Sequence, residues 1–348
     1  GRPRPPEGAA LNVVANAAAR FVNGRGLNQA YESVRPRLEL VETFIAEQLR
    51  LGPETVRSAG GYVFEGGGKR IRPATLLLVS RLLGYEGERD VRYGGVVEMI
   101  HTATLVHDDI IDHAAVRRGR ATANRTWGNN LTVLLGDWLY TRSMELALEF
   151  GDVEVMRVLS RATIEMIEGE ILALELKGRS DVTREQYLEI TRRKTSELFT
   201  ATCTVPTLFA PGLEVYRQPL ADYGRSLGFC FQIVDDLLDL TASQQRLGKP
   251  VFSDLREGTL TLPFILLLPR LEAPQRRVVE HVLASGELDE ATAGGLRELL
   301  DRHGVLDETR AVAADYARRA VAALAALPEG PERDALAAAP QFLVDRDY

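Results

Sequence analysis

Lysine is almost missing from this chain of 348 residues: only Lys69, Lys177, Lys194 and Lys249 occur. A formal net charge of -7 and the lack of a Lys/Arg-rich run argue against a nucleic-acid partner. Cysteine is scarcer still. Cys203 and Cys230 stand far apart without a CxxC, so neither a zinc ribbon nor a disulfide scaffold is expected, and a reduced, cytoplasmic setting is. No run approaches the roughly 18 apolar residues of a membrane span, since Leu262–Leu268 stops at Pro269. Alternating polar and apolar stretches are absent, as are Asn-Gly turns between β-branched runs, which removes the sheet-based folds. No Pro/Gly/Ser-rich linker divides the chain. The opening Gly1-Arg2-Pro3-Arg4-Pro5-Pro6 lacks the apolar core of a signal peptide, and a mobile arm over 1–27 is expected ahead of one domain over 28–348.

Helical periodicity is what remains. Between Gln29 and Leu51 apolar residues return at steps of three and four (Val34, Leu38, Leu40, Val41, Phe44, Ile45, Leu49) until Gly52-Pro53. Similar segments follow at 70–84, 90–112, 130–150, 152–177, 183–209, 213–242, 258–270, 274–285, 289–303 and 304–327. Several are apolar around more than one stripe, as in helices surrounded by others. The expected fold is all-α, a single large helical bundle.

Two acidic clusters break these apolar helices: Asp108-Asp109-Ile110-Ile111-Asp112 and Asp235-Asp236-Leu237-Leu238-Asp239. Each reads DDxxD, with its first and last carboxylates on one helix face. A lone DDxxD is commonly a solvated turn. Two of them inside apolar helices require a cation, because buried carboxylates are costly without one. Oxygen-only ligands point to magnesium, which is held by one or two carboxylates together with waters and phosphate oxygens. An anion site is suggested by Gly66-Gly67-Gly68-Lys69-Arg70-Ile71-Arg72-Pro73, a glycine-rich, basic entry to a helix whose first turn takes Pro73. Arg117-Arg118-Gly119-Arg120 returns cations close behind Asp112. Gln232 shares a face with Asp236 and Asp239, and His101 precedes Asp108 by two turns.

The motifs GGGKRIRP, HDDIIDHAAVRRGRATAN, RRKTSELF, GFCFQIVDDLLDL and GKPVFSDLREGTLTLP, in this order, resemble the trans-isoprenyl diphosphate synthases, or polyprenyl synthetases. The resemblance implies helices around a deep central cavity, a homodimer, magnesium, and two substrates, isopentenyl diphosphate and an allylic diphosphate. It assigns Lys69, Arg72, His101 and Arg118 to isopentenyl diphosphate. Asp108, Asp112 and Asp235 would hold the metals, supported by Asp109, Asp236 and Asp239. Arg117, Lys194 and Lys249 would bind the allylic diphosphate, and Thr195 and Gln232 would sit near the developing carbocation, with Lys194 in the same catalytic group. Two positions depart from the family pattern: Thr259 stands for a common lysine and Phe252 for a usual glycine in the loop after the second cluster. Arg346 would match a basic tail. Family members that stop at short products carry bulky aromatics just before the first DDxxD. Ala103 and Thr104 are small, so a long product of about thirty carbons or more is expected, one helical turn being about one isoprene unit. The alternatives are a short-chain synthase, a class I terpene cyclase and a silent subunit of a heteromeric synthase. Both intact DDxxD motifs and the GGGKRIRP segment weigh against the last two.

Overall fold

Helix α1 (Arg25–Leu51) buries one stripe, Val34, Leu38, Val41, Phe44, Ile45 and Leu49, and leaves Leu40 half exposed to water. The computed structural model describes residues 25–241 and 251–345. The expected N-terminal arm, Lys249 and Arg346 lie outside them. The described residues fall into two compact units, residues 25–150 with 330–335 and residues 151–241 and 251–329 with 336–345.

In the first unit α1 is followed by α2 (Glu54–Glu65), α3 (Ile71–Leu82) and α4 (Arg89–Ile111). Two short strands, β1 (Val116–Arg117) and β2 (Arg120–Ala121), lead to α5 (Ala123–Trp127) and α6 (Asn129–Ala147). Helix α4 runs through the middle and packs on α1, α3 and α6, with Val96, Val97, Met99 and Ile100 fully buried. It carries the first DDxxD at its C-terminal end. Helix α2, with Gly60 and Gly61 inside it, went unread in the periodicity, as did α5. The hairpin is also new. Its two turn residues, Arg118 and Gly119, both have positive φ (53° and 75°), the geometry that suits the right-handed twist of paired strands.

The second unit holds α7 (Val153–Leu176), α8 (Arg184–Thr191), α9 (Glu197–Thr204) and α10 (Arg217–Thr241). These are followed by α11 (Ser253–Arg256), α12 (Leu262–Leu267), α13 (Ala273–Ser285), α14 (Glu290–Arg302) and α15 (Val305–Ala323). A last helix, α16 (Pro331–Val344), was not foreseen; Pro340 lies inside it. Helix α10, bearing the second DDxxD, packs along both α15 and α9. The segment read as one helix over 183–209 is broken. A capping box of Thr183 and Gln186 starts α8, and a π-helical turn at Arg192–Ser196 widens the helix before α9. Such turns add one residue to a helical circuit and recur at functional sites.

Phe252 stands where the resemblance implies a glycine, and its backbone has a conformation that suits one. Its φ is +61°, the left-handed region, yet its ring is fully buried beside Phe264, with Arg297 over it at 5.8 Å. Left-handed backbone costs a non-glycine residue about 1–2 kcal/mol, whereas a buried Phe side chain is worth about 3–5 kcal/mol. Burial wins. Phe252→Ala and Phe252→Gly should both lower the unfolding free energy by about 2–5 kcal/mol. Glycine should be the milder of the two by about 1 kcal/mol, the reverse of the usual order. Denaturant titration of both variants tests this, and alanine proving equal or milder would refute the strain argument.

Candidate active site

A cavity of about 60 Å³ in the first unit is lined by His101, Asp109, Arg117, Arg118, Arg120 and Tyr62, among others. Its floor is set by Arg70. This residue has φ +45° and is tied to Glu98 at 2.9 Å, to the Phe64 carbonyl at 3.0 Å and to Glu42. Arg70 is therefore structural, its guanidinium engaged by two carboxylates and a carbonyl. The hairpin is pinned from the same side. Tyr62 donates its hydroxyl to the Ala121 carbonyl at 2.8 Å, and the Arg120 guanidinium lies 4.0 Å over the Tyr62 ring.

The cavity crowds cations together. Burial, opposed only by Glu98, lowers Arg72 to about 10. Burial and then the nearby Arg70 and Arg117 lower Arg118, with Glu98 again opposing. His101 is pushed well below its ordinary 6.5 by burial and by Arg72, Arg118, Arg117 and Arg70, so the imidazole is neutral. This is an arrangement that an anion relieves.

Asp109 is buried and accepts from Arg117 Nε at 2.7 Å. It turns away from its neighbours Asp108 and Asp112, which are half-buried on the accessible stripe of α4 with Thr104, Leu105 and His101. Ala103 is not on that stripe. It is buried in the helix packing, so only Thr104 of the two small residues stands at the level below Asp108.

In the second unit the π-helical turn presents Lys194 and Thr195. It lies against α7 at Gly169, where a Cβ would come within 2.7 Å of the Lys194 backbone nitrogen. Arg192 clamps the turn through Glu165 (3.0 Å), Glu189 (2.8 Å) and Glu197 (2.6 Å), and Lys194 pairs with Glu170. Beside Arg192 and Arg193, the Glu189 carboxyl falls to about 2. Thr195 donates to Gln232 Oε1 at 2.8 Å, Gln232 Nε2 donates to Asp236 Oδ1 at 2.8 Å, and Tyr187 donates to Asp236 Oδ2 at 2.6 Å. Burial raises the Asp236 carboxyl to about 7 against the pull of those two hydrogen bonds. Asp239 is also held. It accepts from Ser253 Oγ and from the Asp254 N–H at 3.2 Å, and so anchors the start of α11. Asp235 alone of this cluster is exposed. Thr259 is exposed too, its N–H closing on the Asp254 carbonyl at 2.8 Å.

The polyprenyl synthetase family model matches residues 53–299. The chain belongs to the polyprenyl synthetase family. It is 38% identical over 307 residues to octaprenyl diphosphate synthase of Escherichia coli (strain K12), covering 88% of this chain and 95% of that one. It is 36% identical over 310 residues to all-trans-nonaprenyl-diphosphate synthase (geranyl-diphosphate specific) of Rhodobacter capsulatus, covering 88% and 94%. The crystal structure of a polyprenyl synthase from Caulobacter crescentus CB15, complexed with calcium and isoprenyl diphosphate, gives a TM-score of 0.87 at 34% identity, covering 92% and 98%. This polyprenyl synthetase is thus a prenyltransferase with the all-α isoprenoid synthase fold.

Among the described residues no three His, Cys, Asp or Glu side chains form a ready metal cage. The donor chemistry explains this and still fits a divalent cation. Asp109, Asp236 and Asp239 accept hydrogen bonds from protein donors, while Asp112 is half-buried and Asp235 exposed, where water and phosphate oxygens can complete a hard-cation sphere. Sequence reasoning missed Tyr187, Glu98 and Tyr62. Each acts through a partner distant in sequence, and no local pattern marks it.

His101 makes a pH prediction. A histidine whose folded pKa is depressed leaves the unfolded chain binding more protons, so its share of stability is full above 6.5 and lost as pH falls below it. By about pH 5.5 wild type should lose about 1 kcal/mol more than His101→Gln, relative to neutral pH. Parallel denaturation curves check this, and equal pH dependence would show that His101 is not held neutral.

Proposed function

We propose that this polyprenyl synthetase is a magnesium-dependent, long-chain trans-polyprenyl diphosphate synthase. It condenses isopentenyl diphosphate with an allylic diphosphate to a product of about thirty carbons or more, roughly one isoprene unit per helical turn. The observation that carries the reading is the cation cavity, which gathers Arg70, Arg117, Arg118 and Arg120 around His101, with Arg72 close enough to act on that imidazole. Residues 28–348 would serve as the synthase domain.

Lys69, Arg72, His101 and Arg118 would grip the diphosphate of isopentenyl diphosphate. Its approach makes protonation of His101 favourable, adding a further charge-assisted hydrogen bond. Arg117, aimed by Asp109, would contact the allylic diphosphate together with Lys194 and Lys249. Magnesium, held by Asp108, Asp112 and Asp235, would take up charge developing on the departing diphosphate. Thr195 Oγ1 and Gln232 Oε1 would face the allylic carbon as it becomes electron-poor, and the isopentenyl double bond, held in place by its own diphosphate, would attack that carbon. The departing pyrophosphate would remove the final proton. Bulk water must be kept away, or it would quench the cation.

The octaprenyl and nonaprenyl relatives support a long product, as does Thr104 on the accessible stripe. A homodimer is part of the proposal, supported by the exposed apolar stripe Ile164, Ile167, Ile171 and Leu174 on α7. So is a cytoplasmic setting, supported by free thiols at Cys203 and Cys230; no helix among the described residues is long and apolar enough to cross a membrane.

Incubation with magnesium and both diphosphates should release pyrophosphate, and neither substrate alone should do so. Release from the allylic substrate alone would indicate a cyclase, and none at all a silent subunit. Asp108→Ala or Asp235→Ala should lower kcat by more than about a hundredfold with the helical signal unchanged. Arg72→Ala should instead raise KM for isopentenyl diphosphate by about tenfold or more, with far less effect on the allylic KM. Near-normal turnover in the aspartate variants, or equal KM changes in the arginine variant, would overturn these roles.

Chain length has its own test. Thr104→Phe should shorten the product to about fifteen or twenty carbons while the first condensations continue, because a ring on the accessible stripe blocks growth about one turn below Asp108. Ala103→Phe should mainly destabilise the fold by about 1–3 kcal/mol, since Ala103 is buried in packing. Product chromatography and denaturation separate the two. Unchanged length in Thr104→Phe, or a wild-type product of only fifteen carbons, would sink the long-chain reading.

A further inference from the structure

The Thr195–Gln232–Asp236 chain ends on a residue to which no role has been given. Tyr187 is buried on α8, and its hydroxyl lies 2.6 Å from Asp236 Oδ2. Both carboxyl oxygens of Asp236 act as acceptors. Tyr187 takes one of its oxygens and the Gln232 amide nitrogen takes the other, at 2.8 Å. With its –NH2 committed to Asp236, the Gln232 side chain must turn its carbonyl oxygen the other way, toward Thr195. The Thr195 hydroxyl has a single proton, and that proton is spent on Gln232 Oε1 at 2.8 Å. The lone pairs of Thr195 Oγ1 are therefore what remains to face a ligand.

We propose that Tyr187 is a positioning residue, which through Asp236 and Gln232 holds Thr195 Oγ1 as a hydrogen-bond acceptor toward the electron-poor carbon of the allylic substrate. Without the phenol, Asp236 Oδ2 loses its donor in a buried setting. The carboxylate can then rotate and the Gln232 amide can flip. A flipped amide would present its N–H groups to Thr195, and the Thr195 proton would swing outward. A proton directed at a developing cation repels it, whereas a lone pair stabilises it. The effect falls on the transition state and leaves the diphosphate contacts alone, so it belongs in kcat. The inference rests on the synthase reading above.

The test is steady-state kinetics of Tyr187→Phe with magnesium, an allylic diphosphate and isopentenyl diphosphate, beside thermal unfolding. The expected result is a fall in kcat of about tenfold, with both KM values within about twofold of wild type. Adding Tyr187→Phe to Thr195→Val or Gln232→Leu, whichever retains turnover, should then change kcat by less than about twofold, because the relay is already cut. Where neither background turns over, the split between kcat and KM in the single variant decides alone. A wild-type kcat in Tyr187→Phe, a matching rise in either KM, or an undiminished loss in the second background would overturn the proposal. Wild type that fails to condense the two substrates would instead refute the synthase reading itself.

Discussion

Charge that is taken out of water must be met by opposite charge or by hydrogen bonds, and this requirement organises both units. Arg70 meets it internally, with Glu42 and Glu98 on either side. Its neighbours in the cavity meet it only in part. Glu98 acts on Arg70, Arg72 and Arg118, and Glu42 and Asp109 add to it at Arg70 and Arg118, yet burial still lowers Arg72 and Arg118. The shortfall leaves the cavity short of an anion and keeps His101 neutral until one arrives. Binding energy for a diphosphate is thus set up by the fold before any substrate is present.

Backbone strain follows the same map. Among the described residues the non-glycine positions with positive φ are Arg70, His113, Arg118 and Phe252. Arg70 and Arg118 stand in the cation cavity, His113 directly follows the first DDxxD, and Phe252 donates its N–H to the Asp239 carbonyl at 3.0 Å. Three of the four are held by something stronger than the strain: an ion-pair network for Arg70, a paired hairpin for Arg118, a buried ring for Phe252. The site is pre-shaped by contacts outside it, as strained functional backbone requires.

Much of this was legible in the residues. The long helices declared themselves because each buries a stripe at helical spacing, and the acidic clusters stood out against apolar surroundings. What stayed hidden had physical reasons. Gly60 and Gly61 masked α2, whose place is secured by packing and not by propensity. The π-helical turn leaves apolar periodicity almost unchanged, yet it determines how Lys194 and Thr195 are presented. The hairpin has no Asn-Gly; Arg118 takes the left-handed position because its side chain is wanted in the cavity. The two small residues before Asp108 looked equivalent in sequence, and only packing shows that Ala103 faces the core and Thr104 does not.

The spacing of DDxxD acquires a meaning from these partners. On a helix the first and fifth residues share a face, and the second is turned by about 100° from the first, toward the protein. In the first cluster that second carboxylate is Asp109, which aims Arg117. In the second it is Asp236, which aims Gln232 and through it Thr195. In each motif the second aspartate orients a side chain on which the chemistry depends. The last aspartates then diverge. Asp112 is half-buried on the accessible stripe, whereas Asp239 is consumed by Ser253 and the Asp254 N–H. Two motifs with one spelling are therefore tied differently into the fold. The helix presents the face, but the residues that reach each oxygen from elsewhere in the chain decide how many of them are left for metal.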